Sequence, residues 1–171
     1  MSRCGPGLMA GVLAGGLCLA AAAGASAGSP RLETSEEYFV LRIEAPFGEV
    51  MASLEAAIQR RNYSVGRVND LDDTLRRRAR DLGGTFAFDH YKVLSFCNLT
   101  LAAEVLEADP RIGALMPCRL AVFVPKGSAE VVVVTLRPTY LLRVSRSEIL
   151  RRLAAQLEAD ILGILDMVGA R

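Results

Sequence analysis

Two strongly β-prone runs, Arg119 to Val124 and Glu130 to Leu136, are separated only by Pro125-Lys126-Gly127-Ser128-Ala129. So short a connection, containing Gly and Pro, predicts an antiparallel hairpin. The second run holds Val131-Val132-Val133-Val134. Side chains alternate between the faces of a strand, so this stretch is apolar on both. It belongs in the middle of a sheet or under cover on both sides, not along an exposed edge. A cover follows in the sequence. Leu150, Leu153, Leu157, Ile161, Ile164 and Val168 make one apolar stripe, which predicts an amphipathic helix over 145–168. Ser145 and Glu148 fit a capping box at its start, and Gly169 is the expected stop.

The upstream half supplies further elements. Tyr38 to Ile43 reads as a short strand, and Phe47, Val50, Met51, Leu54, Ala57 and Ile58 then recur at helical spacing. Pro46 suits the entrance of that helix, 46–61, and Asn62 its end. Tyr63 to Val68 is a second strand. Asn69 or Asp70 caps a further helix with Leu71, Leu75, Ala79 and Leu82 on one side, running to Gly83-Gly84. Tyr91 to Cys97 is a buried strand, and Leu101 to Ala108 a short helix ended by Asp109-Pro110. The order implies an α+β fold: a single, largely antiparallel sheet with helices 46–61 and 145–168 packed on one face.

The amino-terminal segment sets the expected address. Arg3 is followed by no charge until Arg31, and the apolar run from Leu8 to Ala20 leads to Ala25-Ser26-Ala27. That is the pattern of a secretory signal (residues 1–27) cleaved after Ala27. The alternative is an uncleaved anchor, which would be the one route to membrane contact. Residues 28–37 form a polar lead-in and 38–171 a single domain. Loss of Arg3 leaves 19 Lys and Arg against 19 Asp and Glu, so the processed chain is neutral and has no general attraction for nucleic acid. A periplasmic or secreted location is expected.

Few residues invite chemistry. Cys97 ends one predicted strand and Cys118 begins another, with Asn98 and Pro117 beside them. In an oxidising compartment the first expectation is a Cys97–Cys118 disulfide, contributing about 3 kcal/mol by loop closure. The others are two independent buried thiols, or a redox or soft-metal pair. Met116 is the natural third soft ligand for copper(I). His90 is the single histidine, and Asp89-His90 could act as an acid–base pair. A polar residue at a strand entrance is the plainer reading. His90 and Cys97 are an odd number of residues apart, so a strand turns them to opposite faces. The arginines 76, 77, 78 and 80 splay around their helix and form no flat anion site. There is no phosphate-binding glycine loop, zinc spacing or nucleophile elbow.

Tyr91-Lys92-Val93-Leu94-Ser95-Phe96-Cys97-Asn98, Asp109-Pro110-Arg111-Ile112-Gly113 and Met116-Pro117-Cys118-Arg119-Leu120-Ala121-Val122-Phe123 resemble the bacterial domain-of-unknown-function 302 family. The likeness runs from about Tyr38 to Val168. The family's signature is a strand ending in Cys-Asn-Pro, a short helix, an Asp-Pro, then Leu-Pro-Cys opening a strand. Here Leu99 stands for the first proline and Met116 for the leucine. The resemblance implies a compact α+β domain with helices against one curved sheet. It implies a cysteine-containing branch, with thiols the fold does not require, and it carries over no catalytic residue. The expectation for function is therefore an exported, non-catalytic module that binds a small ligand or a partner protein, with room for a homodimer. A thiol-redox or copper-handling protein using Cys97 and Cys118 is the alternative, and an enzyme centred on His90 ranks third.

Overall fold

A computed structural model describes residues 28–143 and 145–170. Their centre is a six-stranded sheet: β1 (Arg31–Thr34), β2 (Tyr38–Glu44), β3 (Ser64–Asp70), β4 (Phe88–Cys97), β5 (Cys118–Pro125) and β6 (Glu130–Leu136). The spatial order is β1-β2-β6-β5-β4-β3, and every neighbouring pair is antiparallel. The helices are α1 (Phe47–Arg60), α2 (Leu71–Arg77), α3 (Leu99–Ala108), α4 (Pro138–Leu141) and α5 (Glu148–Gly169), with a 3-10 helix over Pro110–Leu115. The expected α+β fold is what the chain adopts. The signal expected over residues 1–27 lies outside the described residues.

The hairpin organises the molecule as its sequence requires. β5 and β6 pair antiparallel, and β6 is an interior strand with β2 on its other side. Val131 and Val133 face the helices and are buried with Leu54, Ile58, Ile161 and Ile164 in one core. Val132 faces the other way yet is only 2% exposed. In register it lies between Arg42 of β2 and Phe123 of β5, whose long side chains shield it laterally. Alternation decides the rest: Phe39, Leu41 and Ile43 of β2 are buried, as are Leu120, Val122 and Val124 of β5.

Four local details differ from expectation, each for a physical reason. The lead-in contains β1, because Arg31 to Thr34 pairs with Arg42 to Phe39 and Arg42 bonds both Glu33 and Glu130. α2 is capped by Asp70, which accepts from the Asp73 amide at 3.0 Å, but it stops at Arg77. Leu82 of its expected stripe is 52% exposed, so no burial sustains a longer helix over the arginine run. α5 is capped by Ser147, whose hydroxyl accepts from the Leu150 amide. Ser145 instead accepts from the Ser147 amide, and Glu148 pairs with Arg151 rather than reaching back. Finally, α4 and the 3-10 helix are short elements without a repeating stripe, and both lie where the cavity described next is formed.

Candidate functional site: a sulfur-lined apolar cavity

At one end of the sheet lies a half-open cavity of about 210 Å³. Its floor is the end of the sheet, with Cys97 closing β4, Cys118 opening β5, and Thr135 and Leu136 ending β6. Its walls are Leu101, Ala102 and Val105 of α3, Ile112 and Leu115 of the 3-10 helix, Pro138 and Leu141 of α4, and Leu153, Ala154, Leu157 and Ile161 of α5. Met116, Pro117 and Arg119 complete the rim.

Local sequence explains how the walls are held. Asn98 ends β4 and starts α3: its Oδ1 accepts from the Leu101 amide at 3.0 Å, and its Nδ2 donates to the Asn62 carbonyl at 3.1 Å. Asp109 ends α3 and starts the 3-10 helix, accepting from the Arg111 amide ahead of Pro110 at its first position. Glu158 of α5 holds α4 in place. It accepts from the Thr139 amide and hydroxyl and from the Arg137 guanidinium at 2.8 Å. Burial pushes the Glu158 acid up, but the bonds from Arg137 and Thr139 outweigh it, and the group ends below its ordinary value.

The polar atoms at the cavity wall are already engaged. The Tyr63 hydroxyl donates to Asp160 Oδ2 at 2.8 Å; burial first, and then this carboxylate, push its acid strength far down. Thr135 Oγ1 donates to the Arg119 carbonyl at 2.9 Å. Asn98 spends both ends of its amide as a cap. The remaining lining residues are apolar, apart from Arg119 and the sulfur-containing Cys97, Met116 and Cys118.

The expected Cys97–Cys118 disulfide is not formed. Both cysteines are free and partly buried. Register gives the reason: Cys118 stands opposite Phe96, and Cys97 stands opposite Ser64 of β3. The two are thus offset by one residue, and strand alternation sends their Cβ atoms toward different faces, the wrong geometry for a direct S–S bond. Burial pushes the Cys118 thiol up to about 11, Cys97 adds to the rise, and Arg119 opposes it. The thiol form of Cys118 therefore prevails at neutral pH.

His90 lies elsewhere, on β4 near the opposite end of the strand. Its neighbour in sequence, Asp89, is not its partner, since Asp89 Oδ2 accepts from the Gly127 amide. Its ring stacks on Phe47 at 4.8 Å, and Nδ1 lies 3.4 Å from Asp72 Oδ2. Asp72 is buried, and the same oxygen accepts from Arg76 at 2.9 Å, while its Oδ1 has no hydrogen-bond partner. The adjoining Asp70 acid is held well below the ordinary range by the Asp72 side chain, Lys92 and the Asp73 amide. Among the described residues no three or more His, Cys, Asp or Glu side chains gather as a metal site. Among the described residues, no Ser, Thr or Cys side chain is hydrogen-bonded to His90, whose one charged partner is Asp72.

The structure brings Cys97, Asn98, Met116, Pro117 and Cys118 to one cavity, and it leaves His90, expected as a possible neighbour of the cysteine pair, toward the other end of β4. Sequence reading missed Tyr63 and the walls contributed by α4 and the 3-10 helix. The available signal was Leu115, Leu136, Leu141 and Leu142, apolar residues in segments with no periodic stripe of their own.

A family model described as "Domain of unknown function DUF302" matches residues 39–168. The chain belongs to this family. Among solved structures it is similar to one titled "Crystal structure of uncharacterized conserved protein DUF302 from Bacillus stearothermophilus". The two share 22% identity with a TM-score of 0.67, over 76% of this chain and 96% of that one. At such identity the likeness speaks for the fold alone. No curated protein matches the chain. For the DUF302 domain of this chain, function has to be argued from the cavity.

Proposed function

We propose that this DUF302 domain is a non-catalytic binding module that takes an apolar small molecule, or an apolar group of a larger one, into the cavity at the end of its sheet. The observation that carries this reading is the pairing of every neutral polar side chain at the wall with a protein partner, in a lining otherwise made mostly of apolar residues. A pocket with a mostly apolar lining and few polar groups is the usual form of a small-molecule site. About 210 Å³ exceeds the ~150 Å³ cavity that accepts benzene in a well-packed protein. The ligand class is accordingly a short aliphatic chain or an aromatic hydrocarbon group of up to three rings, the larger ones reaching out through the open side.

Export belongs to the same proposal, with processing after Ala27 placing the module in the periplasm or outside the cell. Intact mass of the protein recovered from the cell envelope and the medium tests it, a mass beginning at Gly28 being the expected result. Cysteines at both 97 and 118 are further proposed to mark a branch within the family, since the register shows that they contribute no cross-link to the fold.

Titration with the neutral fluorescent probe N-phenyl-1-naphthylamine tests the cavity. Saturable binding at one probe per chain, lost when Ala102→Leu narrows the space, is expected. No binding by the folded wild-type protein, or equal binding by the folded variant, would overturn the reading.

A further inference from the structure

We propose that the cavity takes an amphiphile, an alkyl chain ending in a carboxylate, with the chain inside and the carboxylate held at the mouth by Arg119. This rests on the apolar-ligand reading and names the ligand class for the same site. Two observations carry it: where the cavity opens, and which charge stands there.

A half-open space meets solvent where its lining is exposed. The inner lining includes Leu101, Leu153 and Ile161, all buried. The lining residues exposed to solvent are Leu115, Pro117, Arg119 and Leu136. Strand alternation places two of these. Thr135 is buried on the helix side of β6, so Leu136 turns to the other face. Leu120 is buried on the helix side of β5, so Arg119 turns the same way as Leu136. Ala121 pairs with Val134, which sets Arg119 and Leu136 side by side two residues further along. The Thr135 hydroxyl, donating to the Arg119 carbonyl at 2.9 Å, ties the two strands at this point. The mouth thus reaches around the end of the sheet, and Arg119 stands on its rim.

Arg119 is the one charged residue of the lining, which holds no Asp, Glu or Lys. Other arginines of the surrounding segments are committed: Arg61 to Asp160, Arg111 to Asp109, Arg137 to Glu158 and Arg143 to Glu36. Among the described residues no carboxylate forms an ion pair with Arg119. A guanidinium is always charged, and its planar fork of donors matches the two oxygens of a carboxylate. An apolar interior with one uncommitted cation at its opening is complementary to an alkyl chain with one negative charge at its end. A cationic head group would meet Arg119 with like charge, and an uncharged one would leave its charge unpaired.

The test is displacement of N-phenyl-1-naphthylamine from the full chain by octanoate, 1-octanol and octylammonium, which share an alkyl chain and differ in head group. The readout is the ratio of octanoate to octanol affinity for each protein, which cancels any change in the cavity itself. Arg119 is exposed, so substitutions there spare the core. The ratio is expected to fall about fivefold in Arg119→Gln, the scale of a solvent-exposed pair. In Arg119→Glu the preference should invert, with octylammonium binding more tightly than octanoate. An equal ratio in wild type and Arg119→Gln overturns the proposal, as does wild-type protein that binds octylammonium as tightly as octanoate. If the dye and octanol bind while the ratio ignores residue 119, the carboxylate proposal alone fails and the apolar-ligand reading stands. A wild-type protein that takes up neither the dye nor any of the three compounds overturns both.

Discussion

Glu158 shows how one buried charge can hold a functional wall. It projects from the middle of α5, and its carboxylate receives the guanidinium of Arg137 and both the amide and hydroxyl of Thr139. An isolated carboxylate there would be costly, since the group is nearly inaccessible to water. With its four donors it ties α4 to α5 across the cavity. Arg137 remains about a quarter exposed, so solvent screens part of the interaction. Glu158→Gln is expected to cost about 1–2 kcal/mol, below the ~3–5 kcal/mol seen when a fully buried pair is broken. The folded-state acid is held below its ordinary value. Its contribution is then complete above the unfolded-state pKa, roughly 4.3, and is lost as pH falls through the lower folded-state value. Chemical denaturation of both proteins from pH 7 to pH 3 checks this: the gap should be widest at neutral pH and should close in acid. A constant gap would mean the carboxylate's charge is not what α4 depends on.

At the scale of elements, helix ends and crossings decide what the sequence could reveal. Asn98 was legible as a turn-former beside Cys97, but its second bond, to the carbonyl of Asn62, joins the end of α1 to the start of α3 and has no sequence signature. Asn98→Ala should cost about 1–2 kcal/mol by loss of the cap. Asn98→Asp should recover most of that, because the cap oxygen is kept while only the donor to Asn62 is lost. Thermal denaturation of the two variants distinguishes them. The α1–α5 crossing was visible as two apolar stripes, and its detail was not. A methyl group at Gly163 would stand 1.8 Å from an Arg61 guanidinium nitrogen, so Arg61 lies across the bare glycine backbone on its way to Asp160. Two effects compete in Gly163→Ala. Helix propensity gains up to about 1 kcal/mol, and an exposed ion pair worth about 0–1 kcal/mol is displaced. Arg61 is a flexible side chain with open solvent beside it, so the expected net change is within about 0.5 kcal/mol of zero. A loss above 2 kcal/mol would show that the backbone, not Arg61, has to move.

At the scale of the whole molecule, the fold was more legible than the site. Val131 to Val134 required an interior strand, and the stripes of α1 and α5 required a sheet to cover. Those are local patterns with one packing solution. The cavity has no such pattern, because Tyr63, Cys97, Cys118, Leu136 and Leu157 meet only after β3, β4, β5, β6 and α5 are assembled. The disulfide expectation failed for a related reason: two strand-end cysteines can be predicted as neighbours, but a one-residue offset in register is a property of the finished sheet. The cavity itself can be weighed. An enclosed void costs about 24 cal/mol for each Å³, so about 210 Å³ would cost on the order of 5 kcal/mol, and an open mouth reduces this by admitting solvent. A chain of this size is stable by only about 5–15 kcal/mol. Space on that scale is an expensive packing defect but an ordinary ligand site. Ala102→Leu puts three more carbons into it from α3, at roughly 0.8 kcal/mol for each buried methylene-sized group. If the space is open to receive them, thermal stability should rise by about 1–2 kcal/mol while N-phenyl-1-naphthylamine binding disappears. A stabilised protein that no longer takes the probe is the signature of a site kept open for a ligand; a destabilised one would show instead that the walls already meet at Ala102 and that the mouth lies elsewhere on the rim.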